Sequence, residues 1–279
     1  MNLLTERNHK LLKKDAELGY IVAGLSLLPN VEVNKYTDLI SADTCPMSTP
    51  GCRESCCNTT GRGIYEKSQL ARARRTIMFY TEREAFLYLL REDLCRLKER
   101  ASRRRLLAAC RLNIYSDILW ELYPIIYEFT EIQFYDYTKI LDRVIVDGRK
   151  SEMPPNYYLT FSRSEDNIEE CHKALDSGTN VACVFKDTKP TSWMGHEVID
   201  GDEHDQRFLD PSVSRDSLGI DGGWDVKYAS DEPHIIALSA KGRGRKDDTG
   251  FVIDYDTVQF IRARNAMARY AREEQNLLA

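Results

Sequence analysis

The 279-residue chain reads as an α/β protein, a parallel (β/α) barrel or partial barrel with about six core strands, and three observations predict this. Apolar runs of strand length recur along the chain. Helical stretches or loops separate them, and polar residues gather just after several of the runs. Repeated strand-helix alternation sets successive strands side by side and parallel, and a parallel barrel brings the C-terminal strand ends to one mouth. With no internal repeat or low-complexity tract, residues 1–279 read as a single domain.

The elements follow in order. The first eighteen residues have a helical pattern, and GYIVAGLSLLPN (19–30) is an apolar run that stops at Pro29 and Asn30, as a buried strand does. A cysteine loop at 44–63 comes next. Helix is predicted from Tyr65 to about Tyr80, and a second helix from Thr81, where Thr81 and Glu84 set a T-x-x-E capping box. Phe86, Leu90, Leu94 and Leu97 recur at helical spacing and line a core face. LLAACRLN (106–113) reads as a buried strand, Trp120 to Phe129 as a helix interrupted near Pro124, and EIQFYDYT (131–138) as the next strand. YYLTFS (157–162) is strand, NIEECHKALDSG (167–178) is a helix closed by glycine, and NVACVF (180–185) and HIIALSA (234–240) are strands. Residues 186–233, rich in Asp, Gly, Ser and Pro, read as a long polar loop insertion. FVIDYD offers a short strand, and 257–277 a C-terminal helix whose Phe260, Ala263, Met267 and Tyr270 form a stripe for docking on the core.

Composition bounds the function. No segment has the order of a signal peptide and no apolar run approaches the roughly 20 residues that span a bilayer, so the expectation is a cytoplasmic protein without membrane attachment. A net charge of −5 gives no general argument for nucleic acid. RARR (72–75) and RRR (103–105) are local basic clusters that read as solvated helix faces or as phosphate contacts.

The cysteines carry the sharpest signal. Cys45, Cys52, Cys56 and Cys57, half of the eight, lie within thirteen residues among prolines and glycines. In a reducing compartment such a cluster suggests metal ligation before disulfides. Three thiolates from one loop, Cys45, Cys52 and Cys56, suit an iron-sulfur cluster, with 4Fe-4S favoured; zinc is the competing metal, although no second knuckle accompanies the C-x6-C-x3-C spacing. Cys57 directly follows Cys56, and because adjacent side chains diverge, one of the two does not bind the same iron. Cys95, Cys110, Cys171 and Cys183 read as small core hydrophobes, with Cys110 near enough to a strand end to offer a fourth ligand.

Other strand ends add polar groups. Asn113, Ser116 and Asp117 follow one strand, where Ser116 or Asp117 serves either as helix cap or as site group, and Lys139 follows another as a catalytic or anion-binding candidate. Asp117 and Lys139 are therefore the catalytic candidates; Asn113, Ser116, Lys241 and Arg243 are the cofactor-binding ones. The last two belong to KGRGRK (241–246), whose glycines expose backbone amides beside cations, without the order of a P-loop. VIDGDEHDQRFLD (198–210) reads as surface salt bridges or as a divalent-metal site with Asp202 or His204 as acid or base.

A three-cysteine loop after a first barrel strand resembles the radical S-adenosylmethionine layout, although that family's usual spacing is C-x3-C-x2-C. S-adenosylmethionine is the cofactor this layout implies. Taken together, TCPMSTPGCRESC, RLNIYSDILWE, FYDYTK, VIDGDEHDQRFLD and IIALSAKGRGRKDDTGFVID resemble the gene product 88 family of bacteriophage proteins from about residue 20 to 255. By that family's pattern the matching cysteines are Cys45, Cys52 and Cys56. The resemblance implies a phage origin and an intracellular setting, and it names no reaction. Three functions remain in view: a cluster-dependent enzyme acting on a small molecule or nucleotide, a metal-stabilised binding protein that engages nucleic acid or a host protein, and a hydrolase that uses the 196–210 cluster with a divalent metal.

Overall fold

The structure, a computed structural model, describes residues 2–5, 17–211, 232–262 and 264–265. Its centre is a largely parallel β-sheet, and the strands in chain order are β1 (Leu4–Thr5), β2 (Tyr20–Leu25), β3 (Leu107–Arg111), β4 (Ile132–Thr138), β5 (Ile145–Val146), β6 (Arg149–Lys150), β7 (Tyr157–Ser162), β8 (Val181–Phe185), β9 (Ser192–Trp193), β10 (His196–Asp200), β11 (Ile235–Ser239) and β12 (Val252–Ile253). They pair in the order β1-β2-β3-β4-β7-β8-β11-β10-β9. Every contact from β2 to β10 along this path is parallel, and only the outermost strands β1 and β9 run antiparallel. The small hairpin β5-β6 stands apart.

β8 has an unusual edge. Its first residues pair with the end of β7 through Val181 and Ala182, and its last two pair with β12 through Val184 and Phe185. β12 therefore takes over where β7 stops at Ser162.

The α-helices are α1 (Pro50–Glu54), α2 (Glu66–Thr81), α3 (Arg83–Arg103), α4 (Pro124–Glu128) and α5 (Ile168–Asp176), and α2 to α5 pack on one face of the sheet. The period-two alternation of each strand sends Ala23, Cys110, Phe134 and Tyr157 to this face, where parallel register sets them in a row across four strands. Phe86, Leu90, Leu94 and Leu97 of α3 pack there, as the helical spacing predicts. The opposite face carries Tyr20, Val22, Ala109 and Tyr135, covered by Phe208. That face is more polar, because Arg111, Gln133, Tyr137 and Thr160 share its strand parity.

Several expectations need correction. Leu4–Thr5 forms a strand against β2, not helix, and residues 6–16 lie outside the described residues. Thr81 does not cap α3: α2 runs through it and its hydroxyl donates to the Ile77 carbonyl at 2.9 Å, so the break falls at Glu82. Part of the expected polar insertion is sheet. β10 joins the main sheet beside β11, but its half-exposed edge position and its charged ends hide the apolar signal; residues 212–231 lie outside the description. Cys95 is exposed on α3, not in the core. Phe260 is 67% exposed, so the C-terminal stripe is not docked at that position, and Ala263, Met267 and Tyr270 lie outside the described residues. Among the described residues no helix is long and apolar enough to cross a membrane.

Leu94 is fully buried between α3 and the sheet. Leu94→Ala should lower unfolding stability by about 3 kcal/mol, read as a reduced urea midpoint.

Candidate functional site

The C-terminal ends of the parallel strands surround one cavity of about 340 Å³. Its walls include Cys45, Cys52, Cys56 and Cys57 from the cysteine loop, Asn113, Ser116 and Asp117 after β3, Lys139 after β4, and Lys241 after β11. Residues chosen from sequence at four separate strand ends thus share one space. Arg243 is the exception: it is exposed in the 3-10 turn Gly242–Lys246 and is not among the residues that line the cavity. Cys110 is also displaced. Strand alternation turns it into the helix-side core, fully buried and away from the other thiols, so it offers no fourth ligand.

The cysteine loop is held by distant polar groups. Thr49 caps α1, accepting from the Cys52 amide, while its hydroxyl donates to Glu165 Oε2 at 2.6 Å. The other Glu165 oxygen accepts from the Gly51 amide at 2.7 Å. Farther along, Arg72 Nη1 donates to the carbonyls of Asn58 (3.1 Å) and Gly63 (3.3 Å), and its guanidinium lies 4.7 Å from the Tyr115 ring centroid. Arg75 donates to the Asn2 carbonyl at 3.2 Å, so two of the three arginines of RARR bond within the fold. The glycines of KGRGRK allow close packing: a Cβ on Gly242, whose φ is +57°, would sit 2.5 Å from Thr60 Cγ2.

Burial sets the state of the thiols. It pushes the Cys45 thiol up to about 11 and Cys56 up to about 12, so both are protonated at neutral pH. Cys45 Sγ donates to the Tyr115 carbonyl at 3.1 Å. Among the described residues no three His, Cys, Asp or Glu side chains group closely enough to hold one metal ion.

Under the loop after β3 lies a buried polar knot. Asn113 Oδ1 accepts from Ser116 Oγ (2.8 Å), the Ile118 amide (2.9 Å) and Trp120 Nε1 (3.2 Å), and its Nδ2 donates to the Ile118 carbonyl at 2.9 Å. The amide is spent on shaping the loop. Asp117 is likewise committed: it accepts from Thr138 Oγ1 (3.0 Å), the Lys139 amide (2.8 Å) and Arg143 Nη1 (2.6 Å). It is not a helix cap. Arg143 also forks onto Glu121 at 2.8 and 2.7 Å. Beneath it, Asp136 accepts from the Asn113 amide at 2.6 Å and the Tyr157 hydroxyl at 2.9 Å.

Lys139 is the most open of the candidates in chemistry. Its ammonium donates to Ser162 Oγ at 2.9 Å and sits 5.6 Å from the Phe251 ring centroid. Burial works against its charge, but Cys52 and Asp117 outweigh that and hold its pKa above the ordinary lysine value. Lys241 is paired with Asp202 Oδ1 at 2.9 Å, and Asp202 Oδ2 accepts from Lys189 and the Ser239 amide, both at 2.8 Å. Despite burial, these donors hold Asp202 well below the usual carboxylate range. An acid so firmly ionised is a poor proton donor, and in the acidic run at 198–210 Asp200, Asp202, Asp205 and Asp210 form ion pairs with lysine or arginine side chains.

Sequence reasoning missed Glu165, Arg143 and Arg111. The first two act across 114 or more and 14 or more residues, so no local pattern marks them. Arg111 did leave a signal, a charge ending an apolar strand.

Two outcomes test this geometry. A Cβ on Gly51 would lie 2.7 Å from Phe251 Cβ and also strike Thr249, so Gly51→Ala should cost about 1–3 kcal/mol in thermal or urea unfolding. Burial raises Asp136 and Asp210 to about 7, above the roughly 3.9 of an unfolded Asp. Each therefore favours folding below about pH 4 and loses that contribution as pH rises toward 7. Asp136→Asn should flatten this fall by a few kcal/mol at most, measured as urea midpoints at pH 4.5 and 7.

A family model described as gene product 88 matches residues 2–255. No curated protein and no solved structure matches the chain.

Proposed function

This chain belongs to the gene product 88 family, and we propose that it is an iron-sulfur protein: a cluster-dependent enzyme acting on a small molecule or nucleotide, in the host cytoplasm that a phage setting implies. The observation that carries the reading is the placement of Cys45, Cys52 and Cys56 on one cavity at the carboxyl ends of parallel strands. In this reading the sheet curls into a (β/α) partial barrel, and the cavity is its mouth.

Three cysteines on one loop, at C-x6-C-x3-C spacing and with no second knuckle, suit a cluster better than a single zinc ion. Three ligands leave one iron of a 4Fe-4S cluster open, and when bound such a group supplies one-electron chemistry to whatever occupies the cavity. With their pKa values raised by desolvation, the Cys45 and Cys56 thiols are poor nucleophiles, which weighs against catalysis by those two in their own right.

The chain's own residues have definite parts. Lys139 offsets the negative charge that thiolates bring, and Asp117 positions it through its backbone amide. Cys57 lines the cavity but follows Cys56 directly, so it is left as a non-ligand. The cysteine loop after the first parallel strand, β2, resembles the radical S-adenosylmethionine layout, and that compound is the cofactor the reading implies. Partners beyond a small molecule find less support. Of the basic clusters, Arg72 is consumed inside the fold, and Arg103, Arg104 and Arg105 remain as an exposed patch.

Protein purified without oxygen should carry iron and sulfide with an absorption band near roughly 400 nm, and Cys52→Ala should lose most of both while the fold persists by circular dichroism. Calorimetry should then detect S-adenosylmethionine binding to the parent only. Zinc without sulfide would replace the enzyme by a metal-stabilised binding protein, with nucleic acid or a host protein as its partner.

A further inference from the structure

We propose that the cavity binds an organic monoanion, a carboxylate with an apolar body, its head held by Lys139 and Ser162 and its body laid on the aliphatic side chains of Val184, Leu238 and Val252. This deepens the small-molecule reading of the cavity and rests on it, but it requires no iron.

The apolar wall follows from strand register. On β8, Val181, Cys183 and Phe185 belong to the helix-packed core, so the alternation of the strand turns Val184 to the opposite face. Leu238 of β11 and Val252 of β12 are its direct partners. Parallel register thus lines up three aliphatic side chains across three strands. All three line the cavity, and Val184 and Leu238 keep part of their surface uncovered. A recess floored by such groups gains when water over them gives way to the apolar surface of a ligand.

The polar end is placed by the same register. Ser162 of β7 pairs with Ala182, two residues before Val184, and so shares its face. Lys139 Nζ donates to Ser162 Oγ at 2.9 Å and stands 5.6 Å from the ring centroid of Phe251, which precedes Val252 and packs in one cluster with it. Lys139, Ser162 and Phe251 all line the cavity, and the first two are partly exposed. The ammonium therefore lies at one end of the aliphatic row.

Among the described residues no carboxylate pairs with this ammonium: Asp117 accepts from the Lys139 backbone amide and gives its ion pair to Arg143. Of the three ammonium hydrogens Ser162 takes one, and Cys52 is the neighbour for a second. One remains. Because Ser162 accepts from the lysine, its own hydroxyl hydrogen is left to donate, and the two groups side by side suit the two oxygens of one carboxylate. A phosphate dianion is the poorer guest, since it would shed a stronger hydration shell beside Val252 and Phe251 in return for a single cation.

Binding is measured by ligand-observed NMR on the protein as purified, with acetate, butyrate, hexanoate, hexanol and inorganic phosphate at constant ionic strength. Affinity should rise along the acids by up to about fourfold per methylene. Hexanoate should bind roughly tenfold more tightly than hexanol, and phosphate should not displace it. Lys139→Met, which keeps the length of the side chain and removes its charge, should abolish the preference for hexanoate over hexanol. Leu238→Ala should flatten the rise with chain length and leave acetate unchanged. If a variant does not fold, the ranking in the parent decides alone. Acids that bind equally whatever their length, hexanol that matches hexanoate, or phosphate that displaces it overturns the proposal. Iron and sulfide assayed on the same samples keep the two readings apart: a metal-free preparation that ranks the acids in this order retains the subsite and loses the cluster, whereas an iron-loaded one that does not rank them loses the subsite alone.

Discussion

A single buried guanidinium holds the middle of the cavity wall together. Arg143 has a side chain 2% exposed and draws Asp117 and Glu121 onto its fork, with Tyr157 accepting a further bond at 2.8 Å. Asp117 in turn fixes where the chain leaves β4, and its backbone amide reaches the Thr44 carbonyl at 2.7 Å, next to Cys45. One cation therefore ties three segments that are remote in sequence. Truncating it would leave the buried Asp117 and the half-buried Glu121 without their cation, a loss on the order of 3–5 kcal/mol for a broken buried pair. Because the charges are so committed, the network shapes the cavity rather than reacting within it.

This division between shaping and open groups organises the site. Asn113, Ser116 and Asp117 spend their polar atoms on the loop. The cysteines and the Lys139 ammonium are the less committed groups on the cavity wall. Thiols and cations meet across a sheet end whose other face is sealed by α3, so the polar face has freedom that the helix-packed face lacks.

The parallel core was legible because buried strands are nearly continuous apolar runs; β7 falls at the residues its pattern predicts. β10 was not, since a half-exposed strand of His196–Asp200 carries too few apolar residues to stand out. Polar residues following strands gave the right neighbourhood, because topology alone gathers strand ends. Their roles were less visible. Whether Asn113 faces a ligand or knots its own loop depends on Asp136, Trp120 and Ile118 arriving around it. The T-x-x-E at Thr81 misled for a related reason: a capping box stabilises a helix start only where the preceding chain is not already helical.

The shared edge of β8 has a consequence for the cavity's size. β7 ends at Ser162, and β12 occupies the next stretch of the same edge, bringing Phe251 and Val252 into the wall. Were β7 to pair two residues further, it would compete with β12 for the same backbone groups and push that wall aside. The length of one strand thus works as a spacer, metering the width of the chamber without any wall side chain changing identity. Relatives that differ by a residue or two in that strand would hold differently sized guests around the same set of thiols and cations.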